Sequence, residues 1–296
     1  YRPTLFMNKL SNTDVARFQD LLDNFRGFYL QPRTSRAYNF PSAANALGYV
    51  SEISKEQLAG DKSKIYRQGD YIGQSGLEAY YESVLRGKRG IRNKWKDAKG
   101  IERGSFKDGK YDTLSEPGIN LISTLDIELQ QYAEKLLTGK SGSVVAIEPA
   151  TGEILAFVSG PSYDPGMLSG KLYGENFKLI SADTNKPLFN RPLMAQYRPG
   201  SIFKVAQSMV ALEAGVIVPE TRIKCDRSII NCHGTHSNED LRGAITNSCN
   251  PYFHSVFKRL LSQPHTSDPF RDSRIGLEAW HKNIVTFGFG SALGID

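Results

Sequence analysis

Two serines, a lysine and an asparagine, held at short fixed spacings, define the chemistry open to this chain. Ser201 and Lys204 stand three apart in Tyr197-Arg198-Pro199-Gly200-Ser201-Ile202-Phe203-Lys204, and Ser248-Cys249-Asn250 places a hydroxyl two residues before a carboxamide. A serine hydroxyl is a weak nucleophile until a neighbouring base takes its proton. A lysine can be that base where burial lowers its pKa enough to leave the amine neutral. The Ser-x-Asn triplet adds a hydroxyl that can relay a proton and an amide that can hold a substrate amide. The combination suits acyl transfer through an acyl-serine.

The elements around these residues must aim them. Pro199-Gly200 is a turn signal, and Ile202 to Ala214 has helical spacing, so Ser201 falls in a first helical turn. There the unpaired N–H groups and the positive end of the helix dipole favour a developing alkoxide. Lys204 projects from the same helix face, so its amine can reach the Ser201 hydroxyl. A second copy of the spacing, Ser255-Val256-Phe257-Lys258, has no Pro-Gly before it and lies inside a helical pattern from Pro251 to Leu261. It reads as ordinary helix. Ser248 follows an amphipathic stretch, Asn238 to Thr246, in a short loop before that helix.

Ser-x-x-Lys followed by Ser-x-Asn is the signature order of serine acyltransferases that react with penicillin. The middle triplet here is Ser-Cys-Asn rather than Ser-Asp-Asn, which favours a penicillin-binding protein over a class A β-lactamase. Further segments extend the likeness: Gly73-Gln74-Ser75-Gly76-Leu77-Glu78, Leu85-Arg86-Gly87-Lys88-Arg89-Gly90, Thr124-Leu125-Asp126-Ile127-Glu128-Leu129-Gln130 and Val144 to Ala156. From about Gly48 onward the chain resembles the class B penicillin-binding proteins, in particular their elongation-type penicillin-binding protein 2 group.

The resemblance implies an α+β fold in two parts. Residues 1–118 would form a non-catalytic pedestal for dimerisation or partner contact, and 119–296 a transpeptidase domain of antiparallel sheet covered by helices. It also implies a third motif, Lys-Thr-Gly or Lys-Ser-Gly, on a strand beyond Asp296, so the sequence reads as lacking the C-terminal part of that domain. Lys140-Ser141-Gly142 has the right letters but precedes the nucleophile, and reads as the turn into a strand at Ser143.

The implied reaction is peptidoglycan D,D-transpeptidation. Ser201 would attack the penultimate D-Ala carbonyl of a stem peptide ending in D-Ala-D-Ala, with Lys204 the base, Ser248 the relay to the leaving amine and Asn250 the amide holder. β-Lactams would acylate the same serine. Partners would be a SEDS-type glycosyltransferase and elongation-complex proteins, met through the pedestal. The place would be the periplasmic face of a bacterial inner membrane, reached by an N-terminal anchor that this chain does not include. Rival readings are a D,D-carboxypeptidase, with water resolving the acyl-enzyme, and a β-lactam sensor; sensors lack the Gly73–Glu82 and Arg86–Gly90 features, and the pedestal favours the transpeptidase.

Composition agrees with a folded chain of this kind. It has 296 residues, 40% of them apolar, and a net charge of +6. Ten basic residues face three acidic ones between Arg86 and Lys110, which reads first as a solvated hairpin and second as contact with anionic lipid or wall polymer. No nucleic-acid-binding motif accompanies the charge.

In chain order, a helix is expected near Thr13–Leu22 capped by Thr13 or Asp14, strand and turn over Phe28–Tyr38, and short helices over Ser42–Leu47, Ser51–Leu58 and Leu77–Leu85. Ser115 to Gly118 is a turn and the expected boundary. Asn120–Thr124 should be a strand, Asp126 should cap a helix to Leu137, and Ser143–Ile147 and Glu153–Ser159 should form a hairpin. Pro161 to Arg191 is rich in Gly, Asn, Asp and Pro and reads as loop.

All three cysteines, Cys225, Cys232 and Cys249, lie between the two helices of the motifs. With His236 they would make a Cys₃His site for structural zinc, pinning the loop that presents Ser248 and Asn250. Some elongation-type relatives hold zinc through ligands resembling His236 and Cys249. His233 is the competing nitrogen, and Asp226 or Asp240 could replace a thiolate. The alternative is a Cys225–Cys232 disulfide with Cys249 buried as a small apolar residue.

Overall fold

The structure, a computed structural model, describes residues 6–7, 10–25, 27–31, 35–98, 102–262 and 266–290. The chain divides into two compact units after Ala195.

The first unit starts with α1 (Asn12–Leu21), whose cap is Ser11 rather than Thr13 or Asp14. Asp14 is the third helical residue and bonds back to the Ser11 N–H, which completes a capping box. No strand forms over the described part of Phe28–Tyr38, and the turn at residues 32–34 lies outside the described residues. Then come α2 (Ala44–Leu47), β1 (Val50–Glu52), α3 (Lys55–Gly60), β2 (Tyr71–Gly73), α4 (Gly76–Tyr80) and α5 (Glu82–Leu85). β1 and β2 pair antiparallel, so the helix expected from Ser51 begins only at Lys55, where Ser54 and Gln57 form a second capping box. β3 (Lys94–Lys96) and β4 (Glu102–Ser105) form an exposed hairpin.

Asn120–Thr124 is not a strand. Its attachment is the Thr124 hydroxyl donating to the Ile154 carbonyl at 2.8 Å, beside Asp126 N–H to Leu155 at 2.9 Å, and Ile122 points into solvent. Asp126 caps α6 (Ile127–Leu136), accepting from the N–H groups of Glu128 and Leu129. β5 (Gly142–Ile147) and β6 (Ile154–Gly160) make the antiparallel hairpin, in register Val145 opposite Phe157. The buried Gln130 side chain joins α6 to that hairpin, accepting from Phe157 N–H at 2.7 Å and donating to its carbonyl at 3.0 Å.

Residues 161–191 hold more structure than their composition suggests. Asp164 caps a 3₁₀ turn at Pro165–Leu168, and α7 (Tyr173–Ala182) and α8 (Arg191–Met194) follow. Tyr173, Phe177 and Ile180 recur at helical spacing, a signal hidden by the flanking Gly and Asp. Within this unit residues 42–45 are tied to residues on the far side of Gly118. Glu134 accepts from the Ser42 hydroxyl and Ala43 N–H, both at 2.8 Å, and Asn45 donates to the Pro187 carbonyl at 2.9 Å.

The second unit is built on three helices, α9 (Phe203–Glu213), α11 (Asn250–Leu261) and α12 (Pro269–Thr286). Between α9 and α11 lie the short strands β7 (Ile223–Lys224) and β8 (Asn238–Glu239), paired antiparallel, and α10 (Leu241–Thr246). Tyr252, Phe253, Val256 and Leu260 bury one stripe of α11 against Val210 and Ala211 of α9 and Ile284 of α12, with Cys249 at the same core. Gly276 lets α12 approach closely: a Cβ there would meet the carbonyl oxygens of Leu260 and Leu261 at 2.6 Å.

Candidate active site and thiol cluster

Pro199 and Gly200 set up the start of α9. Gly200 has φ of 62°, a left-handed conformation that favours glycine, and a single 3₁₀ turn from Gly200 to Ile202 leads into the helix. Ser201 is therefore exposed in the first turn, where a helix leaves N–H groups free. Lys204 is one turn further on.

α10 ends at Thr246, and Ser248 adopts φ of 49° before Cys249, the N-cap residue of α11. This left-handed step turns the Ser248 side chain to Ser201. The Ser248 hydroxyl donates to the Ser201 oxygen at 2.9 Å. Lys204 in turn donates to the Ser248 hydroxyl at 3.0 Å, to the Ser248 carbonyl at 2.7 Å and to the Asn250 Oδ1 at 2.7 Å. The ammonium thus has three acceptors for its three protons. Where the spacing alone suggested direct contact between Lys204 and Ser201, the hydrogen-bonded path runs through Ser248.

Burial lowers the Lys204 pKa from the ordinary lysine value, against a smaller upward pull from Cys232 and Cys249. The ammonium also lies 5.5 Å from the centre of the Phe253 ring. Asn250 is fixed at both ends, with Oδ1 on Lys204 and Nδ2 donating to the Asn231 carbonyl at 2.8 Å. One amide hydrogen of Nδ2 is left for a ligand. Asn231 and Phe253 join the residues that the motifs mark. Phe253 can be read from the sequence, since it lies one helical turn beyond Asn250; Asn231 acts through its backbone carbonyl, which no side chain announces.

The β7–β8 pairing brings Cys225 and His236 together, with Cys225 N–H donating to the Ser237 carbonyl at 2.7 Å. The intervening loop returns Cys232 to within 3.4 Å of the His236 Nε2, and Cys249 arrives from the end of α10. The four ligand atoms of Cys225, Cys232, His236 and Cys249 all lie within 4.8 Å of one another. A tetrahedron with metal–sulfur bonds of about 2.3 Å has edges of roughly 3.8 Å, so the cluster is close to the size zinc requires. Three sulfurs and an imidazole are also the donors zinc favours. The three cysteines are free thiols.

His233 is exposed, Asp226 is occupied by Ser228 and Asp240 caps α10, so the competing ligands are turned to other tasks. Burial raises the Cys249 thiol to about 12. Burial also pushes Cys232 up, but hydrogen bonds from the Asn250 N–H and the neighbouring thiols outweigh it, so its pKa is lowered overall. That Asn250 N–H donates to the Cys232 sulfur at 3.4 Å. The cluster and the Ser–Ser–Lys chain therefore share one residue.

Of the remaining candidates, Ser255 and Lys258 lie within α11, Lys258 exposed, and Lys140-Ser141-Gly142 leads into β5. His265 and residues 291–296 lie outside the described residues.

Comparison with known proteins agrees with this geometry. Residues 1–122 match the penicillin-binding protein dimerisation domain and residues 142–296 the penicillin-binding protein transpeptidase domain. The chain is 32% identical to the peptidoglycan D,D-transpeptidase MrdA of Salmonella typhimurium, over 100% of this chain and 47% of that protein. It is 35% identical to MrdA of Escherichia coli K12, over 72% of this chain and 34% of that protein. The solved complex between PBP2 and MreC from Helicobacter pylori superposes with a TM-score of 0.73 at 26% identity, covering 95% of this chain and 50% of that one. The chain spans about half the length of the curated relatives it matches.

Proposed function

We propose that this chain, which belongs to the penicillin-binding protein transpeptidase family, is the acylating part of a peptidoglycan D,D-transpeptidase that cross-links stem peptides during cell elongation. The observation that carries the reading is the hydrogen-bonded chain Ser201–Ser248–Lys204 at the start of α9. Once Lys204 is neutral its lone pair can accept, and the two hydroxyl hydrogens turn so that Ser201 donates to Ser248 and Ser248 to Lys204. The Ser201 proton then passes to Ser248 while the Ser248 proton passes to Lys204. The freed Ser201 oxygen attacks the penultimate D-Ala carbonyl of a stem peptide. Ser201 N–H, in the first turn, is placed to donate to the resulting oxyanion. Collapse of the adduct breaks the peptide C–N bond, and the proton on Lys204 returns through Ser248 to the departing D-Ala amine. An amino group of a second stem then attacks the acyl-serine and restores the Ser201 hydroxyl. Asn250, braced by Lys204 and Asn231, offers its remaining Nδ2 hydrogen to a carbonyl of the donor peptide. β-Lactams enter the same path because they imitate D-Ala-D-Ala.

Cys225, Cys232, His236 and Cys249 would hold a zinc ion that closes the 225–249 loop as a structural tether. Their mutual spacing and donor chemistry support this reading. We place the working protein at the periplasmic face of the inner membrane, with the pedestal, residues 1–118, as the docking region for elongation-complex partners. The relative solved with MreC supports such docking.

The test is intact-mass spectrometry of the full-length protein after exposure to benzylpenicillin, with peptide mapping. One added penicillin on Ser201, absent in Ser201→Ala, supports the reading. An adduct on any other residue, or none, overturns it.

A further inference from the structure

We infer that the basic hairpin β3–β4 and the residues flanking it form a contact surface for an anionic lipid bilayer. Every residue of both strands is exposed, so among the described residues neither strand packs on a protein core. A two-stranded ribbon alone is marginal in water, and its rings here pack on one another: Trp95 lies 5.9 Å from Phe106, and Phe106 5.8 Å from Tyr111. Trp95 and Tyr111 are nonetheless more than half exposed.

The charge around these rings is in excess. Lys88, Arg89, Lys94 and Arg103 each have a carboxylate partner, respectively Glu116, Asp70, Glu102 and Asp97. Arg92 and Lys110 have no carboxylate partner among the described residues, and Lys96 shares the neighbourhood of Glu102 with Lys94, which Glu102 already bonds. Lys107 lies over the Phe106 and Tyr111 rings, at 5.6 and 5.5 Å. These cations complement a negatively charged surface.

Two classes of anionic surface could meet such a patch, and the aliphatic residues decide between them. Ile91 is 57% exposed and Leu114, close by through the Ile91–Thr113 bridge, is 93% exposed. A carboxylated glycan would use the rings and the cations but leave these side chains wet. The boundary between headgroups and acyl chains takes all three kinds: aliphatic groups inward, Trp and Tyr at the interface, Lys and Arg on the headgroups. The surface therefore fits phosphate-bearing lipid.

Flotation of the chain with vesicles of phosphatidylcholine containing about 30% phosphatidylglycerol tests this. Binding should appear with these vesicles, be absent with pure phosphatidylcholine, and weaken steeply as salt rises. Each cation near an anionic surface contributes about fivefold to binding, so Arg92→Glu, Lys96→Glu and Lys110→Glu together should reduce it on the order of 10²-fold or more. The chain has two tryptophans, and Trp280 belongs to the helical core of the second unit. A blue shift of tryptophan emission on vesicle addition should therefore vanish in Trp95→Phe. Circular dichroism of the variants establishes that they fold. Equal binding by the triple variant, or a blue shift kept in Trp95→Phe, overturns the proposal. So does an absence of vesicle binding while Arg92, Lys96 and Lys110 are needed to co-sediment with purified murein.

Discussion

The two Ser-x-x-Lys copies of this chain share a spacing and almost nothing else. Ser201 and Lys204 lie where a helix begins, after a left-handed glycine, and a second loop delivers Ser248 and Asn250 onto them. Ser255 and Lys258 lie inside α11, where Ser255 has an ordinary helical neighbourhood and Lys258 faces solvent. Burial lowers the Lys204 pKa. The difference teaches that the motif is a statement about position. Spacing puts an amine near a hydroxyl, but a free helix end, partial burial and convergent partners make the pair a nucleophile and base.

The sharpest way to break this contrast is to exchange the serines' fates. Ser201→Ala should abolish the covalent penicillin adduct in the full-length protein, while Ser255→Ala should leave it intact and change stability by less than about 0.5 kcal/mol. Intact-mass measurement reads both, and an adduct lost only in the second variant would reverse the assignment. The lysines come next. Lys204→Ala should slow acylation by about 10²–10⁴-fold, the usual contribution of a positioned base. Lys258→Ala should be within twofold of the parent by stopped-flow or gel-based labelling.

A smaller effect probes what holds the first copy together. Protein purified without chelator should carry about one zinc per chain, with three free thiols on denaturation under nonreducing conditions. If zinc tethers the loop that carries Asn231 and Cys232, both bonded to Asn250, stripping it should free that loop. A misplacement of about 1 Å can cost up to about 10²-fold in rate. Acylation should fall by up to that factor, and helical circular dichroism from α11 should largely persist. No metal with one remaining thiol would show a disulfide instead.

The smallest effect is in pH. The base is the neutral amine, so acylation should rise with pH and level off above a midpoint below the ordinary lysine value of 10.5. The stability sign is the same. Between the lowered folded value and 10.5 the unfolded chain binds more protons, so stability rises with pH in that window and is lost as pH falls through the folded value. Lys204→Ala should flatten this dependence, and an unchanged slope would remove Lys204 as its source.

The chemistry was more legible in the sequence than the scaffold was. Pro199-Gly200 announced the start of α9, Asp126 announced α6, and the 143–159 hairpin followed from its turn residues. These are local signals, carried by the residues that obey them. Asn120–Thr124 looked like a strand because β propensity describes side chains and not the availability of a partner edge. α7 was obscured by its flanks, and α12 was not singled out although Asp268 caps it and Pro269 opens it. The thiol cluster could be named from residue types, yet its closure depends on the β7–β8 pairing, two residues per strand, which leaves almost no periodicity to read.

Ser248 pursues two aims that conflict. Its left-handed backbone suits glycine, and holding a side chain there costs about 1–2 kcal/mol. Only the hydroxyl justifies that cost. A directed-evolution campaign that selects for heat tolerance alone should therefore enrich Ser248→Gly, a change that relaxes the backbone and severs Ser201 from Lys204. The survivors would be sturdier and inert. Position 248 thus marks where breeding for robustness and breeding for turnover part company, and a library for this chain should hold that codon fixed.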